Sequence, residues 1–96
     1  MPEEYKDTWI ITDVCEAMRE FLIAKNTKYG NSALEPLRTF SKTSSEEQLL
    51  IRMDDKLSRI KNADEPRIND IVDLTGYLLL YIIKKEWTSQ IQAMID

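Results

Sequence analysis

Apolar and polar positions recur along most of this chain at spacings of three and four, the repeat of an α-helix rather than the alternation of a strand. The first periodic segment runs from about Thr8 to Asn26. At ~100° per residue, Ile10, Val14, Met18 and Phe21 share a face, flanked by Ile11, Ala17 and Leu22. Asp13, Glu16, Arg19 and Glu20 take the other side. Asp7 or Thr8 can cap this helix by accepting a bond from a free backbone N–H. Gly30 ends it through a turn of positive φ.

Residues 31–43 form a connection containing Pro36, with a short helical turn expected around Leu34 to Phe40. So long a connection is often functional; otherwise it is a packed crossover, with Leu34, Leu37 and Phe40 plugging a core. The second helix starts clearly. Ser44 with Glu47, and Ser45 with Gln48, both fit a capping box. It runs to about Asn62, with Leu49, Leu50, Met53, Leu57 and Ile60 on its buried face. Arg52, Asp55, Lys56 and Arg59 are assigned to the opposite face.

Asp64-Glu65-Pro66 opens the third helix, with Asp64 as cap and Pro66 where a missing N–H costs nothing. It is expected to reach Trp87 and to continue to Met94 after a kink near Thr88-Ser89. Ile71, Val72, Leu74, Leu78, Leu79, Leu80, Ile82, Ile83 and Trp87 cover most of its circumference, the pattern of a central, buried helix. One narrow stripe is polar: Asp70, Asp73, Tyr77, Tyr81 and Lys84. The expected fold is a small all-α bundle of three main helices, antiparallel where the connections are short.

Length and composition narrow this picture. Ninety-six residues make one domain, small enough that pairing with copies of itself is expected. Two glycines and three prolines argue for long helices over a turn-rich β fold. The net charge of −4 weighs against polymeric nucleic acid as a partner, which needs a basic face. One cysteine, Cys15, cannot form an intrachain disulfide; it lies near the apolar face and reads as structural. The polar start MPEEYKDTW does not resemble a signal peptide, and the apolar run from Leu78 to Ile83 is too short to span a bilayer. A cytoplasmic protein with no membrane partner is expected.

Candidate chemistry centres on the polar stripe. Asp70 and Asp73 lie one turn apart, and on a buried helix they need a counter-charge, either a metal ion or basic side chains. Asp-x-x-Asp suits an oxygen-seeking cation such as Mg²⁺; at a helix start it also simply favours the dipole. Glu47 and Asp54 are seven apart on the second helix and could converge with Asp70 and Asp73. Asp55 points away. Lys25, Lys28, Lys56 and Arg59 can neutralise phosphate, Tyr29 and Tyr77 can hold a base or ribose, and Asn31 and Ser32 can hydrogen-bond one. Each also has an ordinary reading, as a snorkelling cation, a polar turn or a solvated face. The absence of histidine excludes Ser-His-Asp and His-metal chemistry, and no Gly-rich phosphate loop is present.

Three blocks together are similar to a known family. They are Lys25-Asn-Thr-Lys-Tyr-Gly-Asn-Ser32, Ile51-Arg-Met-Asp-Asp-Lys-Leu-Ser-Arg59 and Asp70-Ile-Val-Asp-Leu-Thr-Gly-Tyr77. In that order they resemble the phage and bacterial nucleotide-modification-associated domain family, over about residues 20–83. That family in turn resembles the MazG-like all-α nucleotide pyrophosphohydrolases. The resemblance implies a helical, oligomeric, Mg²⁺-dependent enzyme that cleaves nucleoside triphosphates to monophosphate and pyrophosphate. It implies that Asp70 and Asp73 match the Glu-x-x-Asp metal motif, and that Glu46 and Glu47 begin a Glu-Glu-x-x-Glu motif. The third glutamate of that motif is Leu50 here, so Asp54 would have to complete the set. This departure favours an alternative: a phage protein that binds and sequesters a nucleotide signal, cyclic nucleotides included, without hydrolysing it. A third reading is a helical module pairing through Trp9, Trp87, Ile91, Met94 and Ile95.

Overall fold

The computed structural model describes residues 6–95. The described residues form four helices and no strand: α1 Lys6–Lys28, α2 Ser45–Asn62, α3 Ile68–Lys84 and α4 Thr88–Ala93. None is long and apolar enough to cross a membrane. The chain divides into two units, Met1–Gly30 and Asn31–Asp96.

The first unit holds α1. Its helix begins before both expected caps, so Asp7 and Thr8 lie inside it. Asp7 in the first turn still meets the positive end of the helix dipole. Segment 1–5, part of the leader reading, lies outside the described residues. Of the expected apolar face, Met18, Phe21 and Leu22 are half-buried, while Ile10, Ile11 and Val14 are exposed. Cys15 is exposed as well, which removes its structural role. The helix ends at Lys28, and Gly30 takes the expected left-handed conformation, φ 61°.

The second unit is a helical hairpin. Ser44 caps α2, its Oγ accepting from the backbone N–H of Glu47 at 3.1 Å. The Gln48 side chain does not close a second box; its Nε2 donates to the Thr43 carbonyl. A five-residue link separates α2 from α3, and the two helices pack against each other. Glu46 near the start of α2 pairs with Lys85 after α3, and Lys56 later in α2 pairs with Asp73 early in α3, so the helices run antiparallel. Leu49 and Met53 are the buried apolar side chains between them.

Two expectations about α3 are corrected. Its cap position is Arg67, with no side-chain bond, so Asp64 and Pro66 belong to the link and do not open the helix. Nor is α3 enclosed on all sides: only Asp70 and Gly76 are buried, and Ile68, Ile71, Leu78 and Ile83 are exposed. A two-helix hairpin offers each helix one face to bury, whatever covers the rest of its circumference. The helix stops where Glu86 turns left-handed, φ 60°. There Trp87 N–H reaches the Ile82 carbonyl and Glu86 N–H the Ile83 carbonyl, the bonding pattern of a Schellman cap. The kink expected near Thr88 is therefore a break, and α4 is a separate short helix.

The 31–44 connection is an open loop. Its helical turn falls at Asn31, whose carbonyl accepts from the N–H groups of Leu34 and Glu35, not at Leu34 to Phe40. Leu37 and Phe40 do not plug a core; Phe40 is fully exposed. Lys84 Nζ donates to the Leu34 carbonyl at 3.0 Å and ties the loop to the end of α3.

Candidate functional site

The polar stripe of α3 is its inward face. Each member has a partner inside the second unit. Asp73 Oδ2 lies 3.1 Å from Lys56 Nζ, and both side chains are largely covered. Asp70 is buried, and its Oδ2 accepts from Arg67 Nε at 3.1 Å. Tyr77 lies under the Arg52 guanidinium, 5.9 Å from carbon to ring centroid. Tyr81 meets Trp87 edge to face, with centroids 6.0 Å apart. Lys84 holds the loop. The counter-charge that the two aspartates require is thus supplied by basic side chains of the same chain.

This arrangement corrects the reading of α2. Arg52 and Lys56 are not on its outer face. At ~100° per residue, Lys56 projects within about 20° of Leu49 and between the directions of Arg52 and Met53. It therefore points at α3 and is half-buried, as is Arg52. Asp55 and Arg59 do face outward, where they pair with each other at 3.1 Å. Leu57 is turned off the inner face and is exposed. Arg59 also lines an open groove of about 760 Å³ at the α2–α3 link, with Ser58, Asn62 and Arg67.

Glu47 and Asp54 are exposed, on a side of α2 that points roughly 150° from Leu49. The four acids proposed to converge do not do so within one chain. Among the described residues no three acidic, cysteine or histidine side chains gather into a metal-holding group. Asp70 and Asp73 are instead each engaged by a base, Arg67 and Lys56.

The α1 candidates form their own cluster in the first unit. Lys25 Nζ lies 5.5 Å from the Phe21 ring centroid and 5.8 Å from that of Tyr29, and Lys28 Nζ lies 5.5 Å from Tyr29. Lys25, Lys28 and Tyr29 are therefore brought together, with the tyrosine ring serving two cations. In the second unit Asn31 is left-handed, φ 63°, a conformation asparagine tolerates well. Its turn geometry alone accounts for the residue type.

The residues missed by sequence reading are Arg52, Arg67, Arg38 and Phe40. Arg52 could have been found by its angle, one turn before Lys56. Arg38 and Phe40 carry no periodic signal, because they lie in irregular chain. Arg38 and Arg52 line a second groove, between the connection and α2. One charge effect extends beyond the stripe. Glu46, hydrogen-bonded to Lys85 at 2.8 Å, raises the lysine's pKa above its ordinary value through that bond and its negative charge. Compared with known proteins, this chain matches no family model, no curated protein and no solved structure.

Proposed function

We propose that this chain is a nucleotide-binding protein that works as an oligomer and holds its ligand without needing a divalent cation. The observation that carries this reading is the Lys56–Asp73 pair with Arg52 beside it over Tyr77. Two cations stand one turn apart on α2, and Arg52 lies over an aromatic ring. Arg52 has no carboxylate partner among the described residues. Cations of this kind neutralise phosphate, and Arg52 is the one of the two that can do so without leaving a carboxylate unpaired. A second copy of the chain is the proposed cover for Ile68, Ile71, Leu78 and Ile83, since a small chain seldom leaves so much of one helix apolar and exposed.

A second reading, Mg²⁺-dependent pyrophosphohydrolysis, is favoured by one observation. Glu47 and Asp54 are exposed together on one side of α2, with no base paired to either among the described residues. In that reading Glu47, Asp54, Asp70 and Asp73 would hold the cation, which would supply activated water and charge neutralisation.

One experiment separates them. The protein is incubated with ordinary, modified and cyclic nucleotides, with and without Mg²⁺, and the mixture is analysed by mass spectrometry before and after denaturation. Depletion of a nucleotide and its intact return on denaturation, irrespective of Mg²⁺, is the expected result. Monophosphate and pyrophosphate appearing only with Mg²⁺ would replace it with the hydrolase reading. No depletion and no product would leave a helical association module.

A further inference from the structure

The connection between residues 32 and 41 and the first turns of α2 enclose an open groove of about 440 Å³, within the range of small-ligand sites. Its lining includes Ser32, Arg38, Phe40, Ser41, Gln48 and Arg52, and no carboxylate. That is notable in a chain of net charge −4. Five other cations, Arg19, Lys56, Arg59, Arg67 and Lys85, each face an acid. Arg38 and Arg52 have no such partner among the described residues, as is also true of Lys25, Lys28, Lys42, Lys61 and Lys84, but only these two share a groove lining. The groove is thus a local positive site on an acidic chain, with its charge left for something else.

The loop is anchored on either side of the groove's most exposed residues. Lys84 holds the Leu34 carbonyl before the groove. At its far end, the Ser41 and Thr43 hydroxyls are 2.7 Å apart, and the Thr43 N–H donates to Ser41 Oγ. Gln48 bonds the Thr43 carbonyl from α2. Tyr77 supports Arg52 from below. Phe40 stands in this loop with its side chain wholly in solvent, an arrangement that gains nothing for folding.

We propose that this groove binds the base and phosphates of a free nucleoside phosphate. Arg38 and Arg52 take the phosphate oxygens, Phe40 stacks on the base, and the Ser32 and Ser41 hydroxyls bond sugar or base edges. The assignment rests on the nucleotide reading above and gives it a location on the loop side of α2, next to Lys56.

Titration calorimetry on the full-length protein tests it, with each common ribo- and deoxyribonucleoside triphosphate, inorganic tripolyphosphate and a short oligoadenylate as probes. At least one triphosphate is expected to bind. Arg38→Ala should weaken that binding tenfold or more, and so should Arg52→Gln. Phe40→Ala should weaken the nucleotide at least threefold and leave tripolyphosphate unchanged. Arg38 and Phe40 are both exposed, so folding is not at stake in their variants. Wild-type affinity in both the Arg38→Ala and Phe40→Ala proteins would overturn the groove while leaving nucleotide binding intact. No binding of any probe by the unaltered protein would overturn both. Preference for the oligoadenylate over every mononucleotide would overturn the free-nucleotide assignment in favour of a single-stranded polymer.

Discussion

Lys56 and Asp73 show how much a single pair can decide. Both are charged and partly covered, so each depends on the other for the interaction that water no longer fully provides. Lys56→Met should leave Asp73 unpaired and destabilise the fold by about 1–2 kcal/mol. Replacing both, with Lys56→Met and Asp73→Leu, should recover most of that loss. Urea denaturation of the four proteins in the cycle measures the coupling; purely additive effects would mean the pair contributes nothing. The same position separates the two functional readings. Asp73→Asn frees Lys56 and should hold a nucleotide at least as tightly as the unaltered protein. Under the hydrolase reading the same change abolishes turnover. The sequence announced Asp70 and Asp73 because acids on an apolar helix are conspicuous. Their basic partners were less legible: Arg67 lies in irregular chain before α3, and Lys56 reads as an outer polar residue by type although its angular position aims it at α3.

At the scale of elements, caps and breaks explain where helices begin and end. Ser44 was legible because its side chain acts locally, three residues from its partner N–H. Ser44→Ala should cost about 1 kcal/mol in thermal or chemical unfolding. The start of α3 was not legible, since Asp64 and Pro66 fit a cap by composition and the chain places the cap at Arg67. At the other end, Glu86 occupies the left-handed position of a Schellman cap, where a side chain is strained and glycine is not. Glu86→Gly should therefore stabilise the protein, by about 1 kcal/mol, and a melting-temperature rise is the measurement. Next to it, Glu46 lifts the Lys85 pKa in the folded state. A raised lysine pKa stabilises fully below the unfolded value of about 10.4 and loses that contribution as pH climbs through the folded value. The stability difference between the unaltered protein and Lys85→Met should thus be constant near neutrality and vanish in strong alkali. A difference that instead faded between pH 5 and 8 would assign it to another group.

For the molecule as a whole, the all-helical class was legible because periodicity is carried by many residues at once. Which face each helix buries was less so. On α3 the apolar residues outnumber what one hairpin partner can cover, and the register that pairs Lys56 with Asp73 turns the polar stripe inward. Ile68, Ile71, Leu78 and Ile83 are consequently left outward, and they are aliphatic side chains on one side of one helix. Fully burying side chains of this kind is worth roughly 1.5–3 kcal/mol each, enough in sum to sustain association once the entropy of joining two chains is met. Sedimentation velocity at micromolar concentration should therefore find the unaltered protein larger than a monomer. Ile71→Glu, which places a charge on this face, should shift it to the monomer without loss of helical signal, because Ile71 is exposed and projects about 100° from the inward Asp70. A monomer for the unaltered protein would mean that the outward apolar face is closed by something other than a second copy.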